Sequence, residues 1–262
     1  MAGPHSHPEI GEVDVVTKDA GGADWSEVEA ITFDVDATLY NYPMMMFPRL
    51  HRWGRYVILL RHLTRARQIM RREGPQEDLR RRQAEIVAEL SGLPVDEAAR
   101  RIDLVLYDGW NVDFDGVRPY RGCREFIDHV VAHGLRIAII SDYPPQTKLE
   151  QMGLMDLPWT AIVECEALGE LKPSPRVFTT ALEALGLADE PHLALHIGDH
   201  YNYDVVGAKR VGMRAAWLRR RWRFTRMPWG EEDHSAGIEA DIVFFSWRRL
   251  DRRFSALMGW SE

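Results

Sequence analysis

Residues 28–39 read VEAITFDVDATL, and this stretch decides the fold. An apolar run with β-branched side chains comes first, and Asp34, Asp36 and Thr38 follow it directly. Such a pattern is typical of a buried strand of a parallel sheet that runs into a polar loop. In open α/β sheets, ligands bind at the edge where the carboxyl ends of the strands lie. The stretch therefore predicts a strand whose polar end faces a ligand-binding edge.

The chain downstream of residue 119 alternates between strand and helix patterns. Apolar runs predict strands at Leu135–Ile140, Trp159–Val163, Leu193–Ile197, Ala215–Leu218 and Asp241–Phe245. Helical patterns lie at Arg124–His133, Ser174–Leu185 and Asp204–Val211. Strands that alternate with helices indicate βαβ units and a parallel sheet. We therefore expect an α/β fold, with a Rossmann-like parallel sheet flanked by helices.

A helical segment interrupts this alternation. Apolar residues between Leu50 and Leu63 recur at spacings of three and four, which predicts an amphipathic helix. Two further helices are predicted around residues 79–90 and 95–105.

These patterns divide the chain into three parts. Residues 27–40 and 119–262 are expected to form the α/β core, and residues 41–118 a small all-α domain inserted into it. Residues 1–26 contain Pro, Gly and His without an apolar period, and we expect a disordered N-terminal arm.

The composition excludes several classes of protein. Hydrophobic residues make up 45% and charged residues 28% of the 262 residues, which is typical of a globular protein. The apolar runs fall short of the roughly 20 residues that span a bilayer. The acidic N-terminus has no apolar signal-peptide region. Cys123 and Cys165 fit neither a metal-ligand spacing nor a disulfide framework, so we expect a cytoplasmic protein.

The charge is distributed unevenly. The formal net charge is −7, but residues 49–82 contain eleven arginines and three acidic residues. A basic segment can attract phosphate groups or nucleic acid, although the more common explanation is a solvated helix face. Because the whole chain is acidic and contains no known nucleic-acid-binding motif, we expect no nucleic-acid partner. Because its apolar runs are too short to span a bilayer, we expect no membrane partner.

Polar residues follow four of the predicted strands. Asp34, Asp36 and Thr38 follow the first strand, Ser141 follows the second, Lys172 comes after the third and an intervening turn, and Asp199 and Asp204 follow the fourth. A single aspartate at such a point is commonly a turn former or a helix cap. Four such segments at one edge of a parallel sheet predict a common site.

These segments resemble the four motifs of the haloacid dehalogenase-like (HAD) hydrolase superfamily, and they occur in the same order. The matching stretches are DVDATL at 34–39, Ser141 after its strand, KPSPRVF at 172–178 and GDHYNYDVVGA at 198–208. Two residues depart from the common pattern. Ala37 stands where Gly is more common, and Asp142 stands where Asn is frequent and places a carboxylate near an anion site.

The resemblance implies a role for each motif residue. Asp34 would be the nucleophile that forms an aspartyl-phosphate, and Asp36 the general acid and base. Mg²⁺ would be held by Asp34, Asp199 and the backbone carbonyl of Asp36. Asp204 would lie near the metal or orient Lys172.

The resemblance also implies a phosphate site. Lys172 and Ser141 would bind the phosphoryl oxygens, with Asp142 beside them, and Thr38 would fix the phosphate loop. The helical insertion after the first motif would be a cap that closes over the site and selects the substrate.

The predicted function is a Mg²⁺-dependent phosphatase that acts on a small phosphate ester. A phosphomutase would use the same residues and stays open as an alternative. A dehalogenase is disfavoured because dehalogenases normally lack the second aspartate, here Asp36. Phosphonate hydrolysis is disfavoured because residues 41–118 contain no lysine. A non-catalytic binding protein on the same fold is the alternative from another class, and the motifs do not specify an oligomeric state.

Overall fold

The structure is a computed structural model. It describes residues 15–17, 24–41, 50–109, 114, 116–219 and 237–260. Within these residues the chain forms one sheet with helices around it. No helix in this part of the chain is both long and apolar enough to cross a membrane.

The sheet has seven strands in the order β1-β7-β6-β5-β2-β3-β4. The strands are β1 (Val15–Thr17), β2 (Ala30–Phe33), β3 (Arg136–Ser141), β4 (Trp159–Glu164), β5 (Ala194–Gly198), β6 (Arg214–Leu218) and β7 (Ile242–Phe244). All neighbouring strands from β2 to β7 are parallel, and β1 is antiparallel to β7. The α/β fold expected from the sequence is confirmed.

The register of the central strands places the polar residues side by side. Phe33 at the end of β2 is level with Ile139 on β3 and with Ile197 on β5. The backbone N–H of Asp34 continues this ladder and donates to the Ile197 carbonyl at 2.9 Å. The residues that follow β2 and β5 therefore leave the sheet at the same edge.

Eight α-helices are present in the described residues. They are α1 (Leu50–Glu73), α2 (Leu79–Ser91), α3 (Val95–Ile102), α4 (Cys123–Ala132), α5 (Gln146–Gln151), α6 (Pro175–Ala184), α7 (Val206–Arg210) and α8 (Trp247–Met258). Wide π-type turns extend α3 at Asp103–Tyr107 and precede α7 at Tyr201–Val205. Short 3₁₀ turns lie at Trp25–Glu27 and Pro191–Leu193.

Local sequence explains where α2 begins and ends. Asp78 precedes the helix, and its Oδ1 accepts a hydrogen bond from the backbone N–H of Arg81 at 2.9 Å. This is the usual action of an aspartate N-cap. Gly92 ends the helix with φ 73°, a left-handed conformation that glycine adopts without a steric penalty.

An aromatic cluster attaches α4 and α8 to the sheet. Phe33 of β2 lies 6.4 Å from Phe126 and 6.2 Å from Trp247, measured between ring centroids, and Phe126 lies 5.8 Å from Phe254. All four side chains are buried. Edge-on and offset contacts at these distances stabilise aromatic packing. The cluster holds the strand that leads to Asp34 in a rigid position.

Most of the predicted elements are present, and two regions differ from expectation. Residues 15–17 form β1 although they belong to the predicted disordered arm, because their backbone pairs with β7. Trp25–Glu27 of the same arm form a 3₁₀ turn, with the Asp24 side chain as its cap. Residues 1–14 and 18–23 lie outside the described residues. The sequence patterns also missed α5 and α8.

Helices α1 to α3 and the turn after them lie between β2 and β3 in the chain, and we call residues 50–109 the helical insertion. The helical character predicted for this region is confirmed in these residues. Its assignment as a separate cap domain over 41–118 stays a prediction.

Candidate active site

Asp34 occupies the first position after β2, at the centre of the carboxyl edge of the sheet. Its side chain is 7% exposed. The Thr38 hydroxyl donates to Asp34 Oδ2 at 2.6 Å, and Lys172 Nζ lies 2.6 Å from Asp34 Oδ1. The turn that brings Thr38 back to Asp34 includes Ala37, whose φ is 71°. Each carboxylate oxygen of Asp34 is thus held by a different donor.

Lys172 lies between two buried carboxylates. Its Nζ is 2.6 Å from Asp34 Oδ1 and 2.7 Å from Asp204 Oδ1. Burial alone lowers the pKa of Lys172, but the charges of Asp204 and Asp34 raise it well above its usual value. Burial raises the pKa of Asp204, yet Lys172 and His196 bring it well below its usual range. Burial and the charge of Asp204 raise the pKa of Asp34 well above its usual value, although Lys172 opposes this shift.

The position of Asp204 depends on the turn after β5. The backbone N–H of His200 donates to Asp204 Oδ2 at 2.9 Å, and His196 Nε2 lies 3.3 Å from Asp204 Oδ1. A Cβ atom on Gly198 would lie 2.2 Å from the Asp204 Cγ. Gly198 is therefore required because the Asp204 side chain fills the space that any larger residue would need.

Three carboxylates form a candidate metal centre. Asp34, Asp199 and Asp204 each offer an oxygen, and these oxygens lie within 4.8 Å of one another. Carboxylate oxygens are the ligands that Mg²⁺ prefers, so this donor set fits the predicted cation. The set contains Asp204 where the prediction used the backbone carbonyl of Asp36. The Asp36 carbonyl stays a predicted ligand.

The Asp36 side chain has its own set of partners. Both of its oxygens contact Lys148 Nζ, at 2.6 and 2.7 Å, and its Oδ1 also accepts from the Tyr40 hydroxyl at 2.7 Å. Burial lowers the pKa of Lys148, although Asp36 opposes this shift. Lys148 was not among the site residues predicted from the sequence. Its rarity was a usable signal, because the chain contains four lysines and twenty-nine arginines.

Ser141 ends β3, and Asp142 follows it directly. The Ser141 hydroxyl is buried and donates to the Tyr143 carbonyl at 2.7 Å, so it contacts the backbone of its own loop. Asp142 Oδ1 accepts from the backbone N–H of Lys172 at 2.9 Å, and its Oδ2 forms an ion pair with Arg71. Burial raises the pKa of Asp142, but Arg71 and Lys172 shift it below its usual value. The carboxylate of Asp142, which stands where Asn is common, is therefore neutralised by the guanidinium group of Arg71.

The helical insertion contacts the same loops through buried ion pairs. Arg67 pairs with Glu166, and both side chains are at most 4% exposed. Tyr107 donates to Glu166 Oε1 at 2.8 Å, and Arg71 Nε donates to the Lys172 carbonyl at 2.7 Å. The simple explanation of the basic segment as a solvated helix face is wrong for Arg67 and Arg71, because both guanidinium groups face acidic residues of the core.

Comparison with known proteins identifies the family. A family model described as a haloacid dehalogenase-like hydrolase matches residues 28–212, more than half of the chain. The chain belongs to the haloacid dehalogenase-like hydrolases. All four predicted motifs of this HAD hydrolase lie within the matched region, and their first residues lie at the edge of the sheet described above.

Curated relatives of this HAD hydrolase include named phosphatases. It is 28% identical over 135 residues to the glyceraldehyde 3-phosphate phosphatase of Pyrococcus abyssi, over 47% of this chain and 56% of that protein. It is 37% identical over 109 residues to haloacid dehalogenase-like hydrolase domain-containing protein 3 of Bos taurus, over 40% of this chain and 39% of that protein. The matches thus span 39% to 56% of the length of these relatives.

A solved structure shows the same fold. The L-2-haloacid dehalogenase of Xanthobacter autotrophicus, with chloropropionic acid covalently bound, superimposes with a TM-score of 0.62 and 18% sequence identity. The superposition covers 86% of this chain and 97% of the dehalogenase. At this identity the likeness concerns the fold.

Proposed function

We propose that this HAD hydrolase is a Mg²⁺-dependent phosphatase that hydrolyses a small phosphate ester through an aspartyl-phosphate on Asp34. The observation that carries the proposal is the position of Asp34, which has the Lys172 ammonium at 2.6 Å and carboxylate oxygens of Asp199 and Asp204 within 4.8 Å. A phosphatase needs a nucleophile, a cation beside it and a group that exchanges protons. Asp36, two residues after Asp34, would be the group that exchanges protons. The similarity to glyceraldehyde 3-phosphate phosphatase supports this choice of reaction.

In the first step, an oxygen of Asp34 attacks the phosphorus atom of the ester. The bond between phosphorus and the ester oxygen breaks, and the protonated form of Asp36 gives its proton to that oxygen. The alcohol leaves uncharged, and the phosphoryl group is bound to Asp34. Lys172 stays beside the reacting oxygens and counters their negative charge.

In the second step, a water molecule attacks the phosphorus atom of the aspartyl-phosphate. Asp36, now a carboxylate, takes a proton from that water. The bond between phosphorus and Asp34 breaks, which releases inorganic phosphate and restores the free carboxylate. Atoms and charges balance over the two steps because Asp36 returns to its protonated form.

Asp34, Asp199 and Asp204 are the residues that would hold the metal ion. When bound, Mg²⁺ supplies positive charge that favours the ionised form of Asp34 and reduces its repulsion of the phosphate. This matters because burial raises the pKa of Asp34 well above its usual value. Asp204 also orients Lys172, so it contributes to both the cation site and the phosphate site.

We further propose that the helical insertion acts as the cap of this site. The ion pairs of Arg67 with Glu166 and of Arg71 with Asp142 support this role, because they attach α1 to the loop after Ser141 and to the segment that leads to Lys172. A cap in this position would exclude water and limit the substrate to a small phosphorylated molecule.

Hydrolysis of p-nitrophenyl phosphate tests the proposal. We expect turnover with Mg²⁺ and loss of turnover with EDTA. Asp34→Asn removes the nucleophilic charge with little change in shape, and we expect it to lower kcat by at least about 10³-fold. Asp128→Asn is the matched control, because Asp128 is exposed and pairs with Arg124 on the surface. Its kcat is expected to equal that of the wild type.

Three results would overturn the proposal. Turnover that survives both EDTA and Asp34→Asn would exclude the mechanism. Release of chloride from 2-chloropropionic acid without phosphatase activity would indicate a dehalogenase. Slow phosphate release with accumulation of an isomeric phosphate ester would indicate a phosphomutase.

A further inference from the structure

The side chain of Asp36 is not fixed by the sheet. Asp36 lies in the turn after β2, and its side chain is 18% exposed, compared with 7% for Asp34. A carboxyl group in a partly open turn can adopt several rotamers, whereas proton transfer needs it within hydrogen-bond reach of one oxygen. The contacts that hold the Asp36 side chain in one orientation therefore affect its ability to transfer a proton.

Two donors from different elements select that orientation. Lys148 of α5 contacts Asp36 Oδ1 at 2.6 Å and Oδ2 at 2.7 Å, and Tyr40 Oη donates to Oδ1 at 2.7 Å. Lys148 and Tyr40 are buried themselves, with 5% exposure of the Lys148 side chain. The Lys148 ammonium also lies 5.3 Å from the centre of the Tyr143 ring and 5.8 Å from that of Phe114. Its environment leaves it little freedom to move.

The distribution of donors distinguishes the two oxygens of Asp36. A carboxylate has about four lone-pair sites, two on each oxygen. The three contacts occupy both sites on Oδ1 and one on Oδ2, so within the described residues one site on Oδ2 is left for a further partner. That oxygen is the one available to exchange a proton with a substrate.

We propose that Lys148 and Tyr40 are positioning residues that orient Asp36 so that its Oδ2 exchanges the proton with the leaving oxygen. This inference rests on the proposed phosphatase function, in which Asp36 is the acid and then the base. Lys148 acts through Asp36 and does not bind the phosphate itself. The alternative, in which Lys148 binds the substrate phosphate directly, predicts different kinetics.

Leaving groups of different acidity separate these possibilities. p-Nitrophenolate leaves readily without a proton, whereas the alkoxide of propyl phosphate needs one, so loss of an oriented acid affects the alkyl ester more. For Lys148→Met we compare kcat/KM, which reports the steps up to release of the alcohol and excludes the second step that both esters share. We expect kcat/KM to fall about 10- to 100-fold on propyl phosphate and less than about threefold on p-nitrophenyl phosphate; the first loss reaches only the lower end of the about 10²–10⁴-fold contribution of a general acid, because Asp36 is misoriented and not removed. KM should not rise on either ester.

A double variant gives the sharpest readout. In an Asp36→Asn background, adding Lys148→Met should lower kcat on propyl phosphate by less than about twofold, because the group that Lys148 orients is already gone. If Lys148 binds phosphate instead, the two losses should multiply and KM should rise. That result would overturn the inference.

Two further variants supply a second test of the proposal and a matched control. Tyr40→Phe removes only the hydroxyl, and we expect a loss of about 3- to 10-fold on propyl phosphate, so the proposal stays falsifiable if Lys148→Met does not fold. Lys209→Met is the matched control, because Lys209 pairs with Asp241 at 2.9 Å in a more exposed position outside the site. It should keep the wild-type ratio of the two rates.

The two proposals fail differently. If the wild type hydrolyses both esters but Lys148→Met and Tyr40→Phe change their rates equally or not at all, the positioning role is wrong and the phosphatase function stands. If the wild type hydrolyses neither ester, the phosphatase function is wrong and the positioning role falls with it.

Discussion

Lys172→Met removes the ammonium group from between Asp34 and Asp204 and keeps most of the length of the side chain. In the wild type, Nζ lies 2.6 and 2.7 Å from the two carboxylates, and Lys172 is 4% exposed. The variant therefore leaves two buried carboxylates without their shared cation. We expect a lower stability in the absence of metal, together with loss of phosphatase activity.

The size of the effect follows from the burial of the three groups. Removal of one partner from a buried ion pair costs about 3–5 kcal/mol, because the other charge stays buried. For a chain of this size each kcal/mol shifts Tm by about 2–4 °C, so the expected fall is roughly 6–20 °C. Lys209→Met provides the matched control. Lys209 is 29% exposed in its pair with Asp241, and a pair of that kind contributes about 0–1 kcal/mol.

The directions of the pKa shifts determine how the stability of the fold changes with pH. The raised pKa of Lys172 means that its pairing stabilises the fold below the pKa of an unfolded lysine, and that this contribution is lost as the pH rises through the folded value. The lowered pKa of Asp204 means that its contribution is present above the pKa of an unfolded aspartate and is lost on acidification. The ion pair between Lys172 and Asp204 in the wild type is therefore intact at neutral pH. In Lys172→Met the two carboxylates lack a cation, their pKa values rise, and the variant gains stability relative to the wild type as the pH falls from 8 to 5.

Thermal and urea unfolding of the wild type and both variants, in EDTA at pH 8, 6.5 and 5, measures this effect. At pH 8 we expect the free energy of unfolding of Lys172→Met to lie well below that of the wild type, and we expect this difference to become smaller toward pH 5. For Lys209→Met we expect a small difference from the wild type that does not change with pH. If the two variants lose the same stability, or if the deficit of Lys172→Met does not change with pH, Lys172 does not neutralise the two carboxylates and the electrostatic account of the site is refuted.

Two glycine exchanges test the turns that shape the site. Gly198→Ala places a Cβ atom 2.2 Å from the present position of the Asp204 Cγ. We therefore expect kcat to fall at least about tenfold and the free energy of unfolding to fall by about 1–3 kcal/mol. An unchanged kcat would show that Asp204 does not need this space. Ala37 has a φ of 71°, which costs a residue with a Cβ about 1–2 kcal/mol, and the greater freedom of unfolded glycine offsets about 0.4–1 kcal/mol of that cost. Ala37→Gly should therefore raise stability by about 0.5–1 kcal/mol in urea unfolding, and a loss of stability would contradict the strain.

Regular patterns made most of the fold predictable. The strand before Asp34 and the strands around it are buried on both faces, so they appear in the sequence as continuous apolar runs. Ser174 and Pro175 mark the start of α6 directly. Helix α5 has six residues, too few to establish a helical period. The three residues of β1 are held by pairing with a strand more than two hundred residues later, which no local pattern reveals.

The site was predictable where its residues follow strands. Asp34, Ser141 and Asp199 each come at or directly after the end of a strand, and parallel strands bring such residues to one edge. Lys148 lies on a short helix, 112 residues from its partner Asp36, and its importance depends on the direction of its side chain. The pairing of Asp142 with Arg71 likewise depends on how the helical insertion meets the core. Sequence spacing contains no information about either contact.

The charges of the site explain why a divalent cation suits it. Four carboxylates converge at this edge, from Asp34, Asp36, Asp199 and Asp204, and the ammonium groups of Lys148 and Lys172 each pair with at least one of them. This group of six side chains has two more negative than positive charges. Burial raises the pKa of Asp34, and the charges of its acidic neighbours raise it further, although Lys172 opposes this shift. A proton on Asp34 would relieve the repulsion but would remove the nucleophile. A divalent cation held by Asp34, Asp199 and Asp204 would relieve the repulsion and keep Asp34 ionised, so that the carboxylate could still attack phosphorus. The excess of acidic groups that opposes ionisation of Asp34 would thus favour the proposed reaction once a cation is bound.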